Sequence, residues 1–230
     1  MELYYHQHIL TDRTLPEAEA HHCINVMRHN TGDQVFITDG KGTLYEGSIQ
    51  IQGKKKVQVA DVQVLRKQEQ KRKIHVGIVP VKSTDRLEFM IEKLTELGVA
   101  EISFIASRRC ERERVNTDKL EMRAIAAVKQ SHNLYVPKIN PMIALNHYLR
   151  ATTSDQLYVA ALTGDNPQAL SKQKLSDGSV TILIGPEGDF TDTEMEDIIQ
   201  SGYQPVSLGS HILRTETAAI YSAAVLGIIQ

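Results

Sequence analysis

Arg214 and Glu216 stand two positions apart in the segment SLGSHILRTETAA, which spans residues 207–219. This segment crowds Gly, Arg, Glu and Thr between an apolar strand and an apolar helix. A second Gly-rich turn, GPEGDF at residues 185–190, follows the apolar run 180–184. A single such turn has a structural explanation, since turns need Gly for positive φ. Two of them after strands predict a ligand site, because open α/β sheets bind ligands at the carboxyl ends of their strands.

The elements that position these turns alternate between strand and helix. Apolar runs predict strands at residues 74–79, 102–106, 156–161, 180–184 and 204–208, and 3.6-residue periodicity predicts helices at 87–97, 120–128, 141–150, 191–201 and 215–229. Gly98 marks a helix end, and Thr191 with Glu194 forms a capping box. The alternation predicts a mostly parallel sheet with helices on both faces. By itself the pattern favours an ordinary doubly wound fold, because knotted chains are nearly absent.

A different pattern occupies the amino-terminal third of the chain. Residues 33–38, 43–51 and 57–64 read as short strands with tight turns, and the alternation slips once at Ala60-Asp61, as a β-bulge would cause. A helix is predicted from Pro16 to His29. Short strands joined by tight turns suggest a small barrel. The polar segment 67–73 is the predicted boundary, which gives domains at residues 1–70 and 71–230.

The motif I-G-P-E-G at residues 184–188, followed by L-G-x-x-I-L-R-x-E-T-A at 208–218, resembles the cofactor signature of the SPOUT methyltransferases. Specifically it resembles the RsmE family, which methylates N3 of a uridine in small-subunit (16S) ribosomal RNA. H-x-x-x-V-M-R-x-x-x-G-D at residues 22–33 and E-K-L-T-E-L-G-V at 92–99 are similar to further patterns of that family. The resemblance covers nearly the whole chain and is strongest over the last fifty residues.

The resemblance implies a fold, a cofactor and partners. The fold is a carboxyl-terminal SPOUT α/β domain with a deep trefoil knot, preceded by a PUA-like β-barrel that binds RNA. The cofactor is S-adenosylmethionine, whose sulfonium supplies the electrophile. The partners are ribosomal RNA, within the assembled small subunit, and a second copy of the chain paired through the apolar helix 215–229. The absence of a long apolar run and of a signal-peptide pattern predicts a cytoplasmic protein.

The resemblance also implies roles for single residues. Arg214 and Glu216 orient the uracil and assist loss of its N3 proton, although Glu216 is also explained as a first-turn acid that stabilises its helix. The residues implied to hold the cofactor are Leu162, Thr163, Gly164, Ile184, Gly185, Pro186, Glu187, Gly188, Leu208, Gly209, Ile212, Leu213, Thr217 and Ala218. The residues implied to contact RNA are Arg28, Lys82, Arg86, Arg108 and Arg109.

Four positions depart from the family pattern. Asp189 replaces the usual Gly, and Asp tolerates positive φ better than most residues. His211, Lys129 and Asn133 replace Arg, Glu and Arg, which bears on the RNA contacts. Two alternatives to the uridine-N3 reaction stay open: a SPOUT enzyme that methylates another RNA position such as a ribose 2′-hydroxyl, and a noncatalytic RNA-binding protein. The intact cofactor motifs argue against the second alternative.

Composition sets limits on other functions. With 230 residues, 41% hydrophobic and 23% charged, the chain has the composition of an ordinary globular protein. The net charge of −2 argues against binding nucleic acid through a bulk positive field, so RNA contacts must be local.

The two cysteines, Cys23 and Cys110, lie far apart without metal-ligand spacing, which predicts neither a disulfide nor a metal site. No run is long and apolar enough to cross a bilayer, and the first residues do not resemble a signal peptide.

Overall fold

The computed structural model describes residues 2–53, 55–161 and 167–228. It divides into two compact units, residues 1–70 with 125–136, and residues 71–124 with 137–230. The strands are β1 Leu3–Tyr5, β2 Gln34–Thr38, β3 Thr43–Gln52, β4 Lys56–Lys67, β5 Arg72–Ile78, β6 Glu101–Ala106, β7 Lys138–Ala144, β8 Gln156–Ala160, β9 Gly178–Ile184 and β10 Gln204–Val206. The α-helices are α1 Glu17–His21, α2 Thr84–Glu96, α3 Thr117–Ser131, α4 Leu145–Ala151, α5 Asp192–Gln200 and α6 Thr215–Ile228.

The first unit is built on a four-stranded sheet in the order β1-β2-β3-β4. The β1 strand pairs with β2 in parallel, and the other neighbours pair antiparallel. The predicted bulge is confirmed: the register between β3 and β4 shifts next to Ala60, and Asp61 has a φ of 52°. A bulge of this kind increases the local twist and bends the strand.

The two edges of this sheet are brought together by the segment that follows β1. The Val59 amide donates to the Arg13 carbonyl at 2.8 Å, and the Leu15 amide donates to the Val57 carbonyl at 2.9 Å, so this segment pairs with β4. The His6 Nε2 lies 2.8 Å from the Thr14 carbonyl oxygen. Because the chain leaves one edge at β1 and reaches the other within a few residues, the sheet closes into a small barrel around a buried apolar core.

The predicted helix from Pro16 to His29 is wrong in its length and type. The α-helical part ends at His21, and residues His22–Val26 form a π-helix in which the Met27 amide donates to the His22 carbonyl at 2.9 Å. Arg28 then has a φ of 57°, which cannot continue a right-handed helix. The motif at residues 22–33 therefore begins in the π-helix and continues into an irregular turn. The pattern of apolar residues alone could not show this change of hydrogen-bonding period.

The second unit contains a six-stranded sheet in the order β10-β8-β9-β5-β6-β7, with every pair parallel. This confirms the predicted parallel sheet. The capping box of Thr191 with Glu194 is present, and Gly98 has a φ of 77° after α2. The last strand ends at Val206, two residues earlier than predicted. The parallel arrangement brings the carboxyl ends of β8, β9 and β10 to one edge of the sheet.

The helix predicted from Pro141 to Arg150 is wrong over its first four residues. Strand β7 extends to Ala144, where Ile143 and Ala144 pair with Ile105 and Ala106, and α4 begins at Leu145. A proline lacks the amide that a central strand needs, but β7 is the outermost strand of this sheet and tolerates it.

Candidate active site

A cavity of about 290 Å³ opens at the carboxyl ends of β8, β9 and β10. Its walls come from the end of β8, the turn after β9, the segment after β10 and the first residues of α6. The lining consists of Ala160, Ala161, Pro167, Ile184, Gly185, Pro186, Glu187, Asp189, Ser207, Leu208, Gly209, Ser210, His211, Ile212, Leu213, Thr215 and Ala218. Small residues and backbone groups dominate this surface, which suits a small molecule held at close range.

The turn after β9 is fixed by its own hydrogen bonds and by α6. The Thr215 hydroxyl donates to the Gly185 carbonyl at 3.3 Å, and the Asp189 amide donates to the Pro186 carbonyl at 2.9 Å. Asp189 has a φ of 61°, and its Oδ1 accepts from the Phe190 amide at 2.8 Å. Phe190 is buried in the core beneath the turn. The turn therefore presents a preformed backbone surface to the cavity.

The segment after β10 forms the opposite wall. Gly209 has a φ of 132°, which a residue with a Cβ rarely adopts. The Ser207 hydroxyl accepts from the Gly209 amide at 3.2 Å, and the Ser207 carbonyl accepts from the Leu170 amide at 2.9 Å. Ile212 is 80% exposed at the mouth of the cavity. An exposed apolar side chain in this place offers a contact surface to a flat, apolar ligand group.

Glu216 lies in the first turn of α6 and is 7% exposed. Its Oε1 is 3.7 Å from Nε of Arg86, which belongs to the first turn of α2. Arg214 precedes α6 and is exposed, and its carbonyl accepts from the Ala218 amide at 2.8 Å. Thr215 and Ala218 line the cavity, so Arg214 and Glu216 belong to the same short stretch of chain but are absent from the described lining.

The loop between β6 and α3, residues 107–116, carries several arginines and is called the arginine loop below. The Arg109 guanidinium donates to the Gly188 carbonyl and lies 3.4 Å from the Asp189 carbonyl oxygen. The Arg108 amide donates to Oε1 of Glu194 at 2.8 Å. Burial raises the pKa of Glu194, but hydrogen bonds from Thr191 and Arg108 outweigh it and leave that pKa below its ordinary value. The loop is thus anchored to the turn after β9 and to the start of α5.

Two family models match this chain. The model described as an RNA methyltransferase domain matches residues 68–227, and the model described as an RNA methyltransferase PUA domain matches residues 15–62. A Rickettsia conorii protein named ribosomal RNA small subunit methyltransferase E is 31% identical over 206 residues, which is 89% of this chain and 84% of that protein. The chain belongs to the ribosomal RNA small subunit methyltransferase E family.

Two solved structures of similar proteins agree with this membership. The Neisseria gonorrhoeae ribosomal RNA small subunit methyltransferase E, crystallised with S-adenosyl methionine, has a TM-score of 0.83 at 26% identity and covers 98% of this chain and 96% of its own. A Porphyromonas gingivalis structure described as a "probable rRNA-methyltransferase" has a TM-score of 0.89 at 34% identity, and the match covers 98% of this chain and 97% of that one.

Most of the residues predicted to hold the cofactor line the cavity. Those that line it are Ile184, Gly185, Pro186, Glu187, Leu208, Gly209, Ile212, Leu213 and Ala218. Gly188 contributes its carbonyl to Arg109, and Thr217 is exposed on α6. Leu162, Thr163 and Gly164 lie outside the described residues. Sequence reasoning missed other lining residues, among them Ala160, Ala161, Pro167, Ser207, Ser210 and Thr215. Ala160 and Ala161 could have been predicted, because they lie at the carboxyl end of β8, where open α/β sheets bind ligands.

The predicted RNA-contacting residues fall into different surroundings. Arg28 is exposed in the first unit, on the turn after the π-helix. In the second unit Lys82 is exposed and lies 3.1 Å from Glu111, whereas Arg86 and Arg109 contact Glu216 and the turn after β9. The Arg108 side chain borders a separate cavity of about 600 Å³ next to α4 and α5.

The positions that depart from the methyltransferase E pattern also have defined places. Lys129 lies in the first unit, where its Nζ is 2.8 Å and 2.9 Å from the two carboxylate oxygens of Glu19. Asn133 accepts from the Tyr135 amide at 3.2 Å through its Oδ1. His211 is exposed at the edge of the cavity. Lys129 and Asn133 thus make contacts that a Glu or an Arg could not reproduce with the same partners.

The part of the chain that the structure describes also bears on metal, disulfide and membrane sites. Within residues 2–53, 55–161 and 167–228, no three His, Cys, Asp or Glu side chains are grouped as a metal ion requires. Cys23 and Cys110 are free thiols. In the same ranges no helix has the length and apolar character that a membrane span requires.

Proposed function

We propose that this protein transfers the methyl group of S-adenosylmethionine to N3 of a uridine in small-subunit (16S) ribosomal RNA. The observation that carries the proposal is the cavity between the turn after β9 and the segment after β10, because the methyltransferase E motifs form its walls. The gonococcal relative, which is similar over nearly the whole chain, was crystallised with S-adenosyl methionine. The cytoplasm, where ribosomal subunits are assembled, is the proposed location.

The cavity residues hold the cofactor mainly through backbone groups and small side chains. Gly185 and Gly209 allow the chain to approach a ligand closely. Ile212 and Leu213 supply apolar contact, and Thr215 keeps the turn after β9 in place through Gly185. When bound, S-adenosylmethionine supplies an electrophilic methyl on its sulfonium. The residues of this chain bind and orient it.

The acceptor is a weakly acidic N–H of uracil, so the reaction needs a base and a stabilised anion. Glu216 accepts the N3 proton, and Arg214 stabilises the negative charge that develops on the uracil. The burial of Glu216 and its contact with Arg86 restrict the directions in which the carboxylate can point. The target base must first be splayed out of any helix, because N3 lies on its Watson–Crick edge.

RNA binding is divided between the two predicted domains in this proposal. Residues 1–70 form the PUA-like module that docks the RNA, with Arg28 among its contacts, and residues 71–230 form the catalytic domain. In the catalytic domain Lys82, Arg86, Arg108 and Arg109 provide local positive charge near the cofactor site. Local contacts of this kind fit a chain whose net charge is −2. The substrate is the RNA within the assembled small subunit.

We also propose that the second unit is threaded into a deep trefoil knot and that the protein is a homodimer. The knot is the fold implied by the motifs at 184–188 and 208–218, whose segments wrap the cofactor cavity. The dimer is supported by a largely apolar stripe on α6, formed by the exposed Thr217, Tyr221 and Ile228 together with the half-buried Ala224.

The test of the function uses small subunits whose target uridine is unmethylated, incubated with the purified protein and S-adenosylmethionine. Mass spectrometry of the digested RNA is expected to show a new methyl group on uracil N3, and no methyl group when the cofactor is omitted. A methyl group on ribose would assign the protein to 2′-hydroxyl methylation. Absence of methylation on ribosomal and transfer RNA, with S-adenosylmethionine still bound, would support a noncatalytic RNA-binding role.

A further inference from the structure

We propose that Arg112 is a positioning residue, and that the arginine loop holds the entry to α2 and the turn after β9 in the arrangement that catalysis needs. The inference rests on the proposed function and extends it to side chains that the cofactor motifs do not contain. Two guanidinium groups of one loop bind backbone carbonyls in two other loops at the carboxyl edge of the same sheet. We expect these contacts to act through Arg86 and Glu216 at one end, and through the cofactor turn at the other.

Arg112 makes three hydrogen bonds to the segment that follows β5. Its Nε donates to the Val81 carbonyl at 2.9 Å, and its Nη2 donates to the Lys82 carbonyl at 2.6 Å and to the Thr84 hydroxyl at 3.0 Å. A planar guanidinium with fixed N–H directions suits three acceptors in different directions, and a lysine ammonium does not span them in the same way. Arg112 is half-buried, so its charge is directed into the protein.

The segment held by Arg112 leads directly to the proposed base. Thr84 is the first residue of α2, and Arg86 lies in the first turn of that helix. The Arg86 Nε is 3.7 Å from Oε1 of Glu216, and Thr215 beside it donates to the Gly185 carbonyl. A shift at the start of α2 would therefore move the partner of Glu216. Small displacements of this kind are costly because reactive groups must meet in a narrow range of geometry.

The other end of the arginine loop contacts the cofactor turn. Arg109 donates to the Gly188 carbonyl, in the turn whose Gly185 is bound by Thr215. A further contact joins Glu111 of the loop to Lys82 of the segment after β5 at 3.1 Å, but both side chains are well exposed, and such pairs contribute little to stability. The backbone contacts of Arg109 and Arg112 are therefore the ones that fix the two loops.

The experiment compares Arg112→Ala, Arg112→Lys and Arg114→Ala in the full-length protein. Arg114 is an exposed member of the same loop and makes no hydrogen bond or ion pair that the described part of the structure records, which makes it a matched control for loss of charge. The measurements are kcat and KM with small subunits, the Kd for S-adenosylmethionine, and amide hydrogen exchange in peptides that cover residues 80–87.

Arg112→Ala and Arg112→Lys are both expected to lower kcat by about 10-fold to 100-fold. KM and the Kd for the cofactor should change much less, and exchange in peptides 80–87 should accelerate. Arg114→Ala should resemble the wild type in all four measurements. Hydrogen exchange needs no substrate, so it tests the positioning contact independently of activity. A wild-type protein that is inactive on small subunits would reject the proposed function but would leave this test of Arg112 intact.

Three results would overturn the inference. Recovery of wild-type kcat in Arg112→Lys would show that charge alone is needed, as at a direct phosphate contact. Unchanged exchange in peptides 80–87 of Arg112→Ala would show that Arg112 does not hold the segment. Faster exchange with an unchanged kcat would show that the position of the segment does not matter to the reaction.

Discussion

The guanidinium of Arg86 and the carboxylate of Glu216 form an ion pair, with 3.7 Å between Nε and Oε1, that joins the first turns of α2 and α6. Glu216 is nearly buried whereas Arg86 is about half exposed. The carboxylate therefore has a fixed partner on the protein side and little room to turn away. Glu216 has two explanations, a role in the reaction and stabilisation of the start of α6. An acid that merely stabilises a helix terminus needs neither burial nor a partner, so this arrangement favours the first explanation.

Replacement of Glu216 by Gln is expected to lower kcat by roughly 10²-fold to 10⁴-fold, the range for loss of a general base. The amide keeps the size of the side chain but cannot accept the N3 proton. The Kd for S-adenosylmethionine should stay near the wild-type value, because Glu216 is absent from the described cavity lining. Steady-state methylation assays measure kcat, and calorimetry measures the Kd.

Glu196→Gln supplies the control for this experiment, since Glu196 is an exposed acid on α5 and should leave both quantities unchanged. An equal loss of activity in both variants, or a wild-type kcat in Glu216→Gln, would remove Glu216 from the catalytic role.

Much of the fold could be predicted because it depends on local patterns. The apolar runs of β5, β6, β8 and β9 and the capping box of α5 are properties of neighbouring residues. The cofactor turns could be located for the same reason, as Gly and polar residues follow strands. The errors lie where contacts with other segments decide the structure. Pro141 lies in β7 at an irregularity in the register, because the residues on either side of it, Asn140 and Ile143, pair with β6. The helix at His22 widens to a π-helix.

The contacts of the arginines could not be predicted from the sequence. Arg109 and Arg112 belong to a polar loop whose pattern is that of an exposed basic run. The structure directs both guanidinium groups to backbone carbonyls of other loops. Such contacts arise from the order of strands in the sheet, which places the loops after β5, β6 and β9 next to one another. Sequence patterns report the period of each element but not this order.

Asp189 gives a second prediction, because it holds a φ of 61° at a position where the methyltransferase E family usually has Gly. Asp189→Ala is expected to be less stable than Asp189→Gly by about 1 kcal/mol, since Ala pays the steric cost of the left-handed region without the polar side chain that relieves it. Both variants lose the bond from the Phe190 amide to Oδ1, so this loss cancels in the comparison. Urea unfolding measures the difference. Equal stabilities would show that the turn relaxes to another backbone conformation.

His75 gives a third prediction, on pH. Its Nε2 lies 2.9 Å from the Ser103 hydroxyl, and its ring packs against Tyr148 with 5.6 Å between centroids. Burial lowers the pKa of His75; Glu101 opposes this and Lys138 adds to it. Because the folded pKa lies below the unfolded value of about 6.5, the contribution to stability is complete above that pH. It is lost as the pH falls through the folded pKa.

The difference in unfolding free energy between about pH 7.5 and pH 5 is therefore expected to be smaller in His75→Gln than in the wild type, because glutamine does not bind the proton. Urea titrations at a series of pH values measure it. His147→Gln is the control, since His147 is exposed on α4 and should keep the wild-type pH dependence. An identical slope in His75→Gln and the wild type would contradict the assignment.

The last prediction concerns the stripe on α6. Tyr221 is 40% exposed and Ile228 is 78% exposed, while Ala219, Ala223 and Leu226 on the opposite side are buried. If the proposed dimer forms through this stripe, Tyr221→Glu is expected to shift it toward monomer, because it places a charge in an apolar contact without disturbing the core. Light scattering at micromolar concentration measures the mass. Met122→Glu, at an exposed apolar position on α3, should leave the mass unchanged. A monomeric wild-type protein would exclude the dimer. A Tyr221→Glu variant that stays dimeric would place the dimer contact elsewhere.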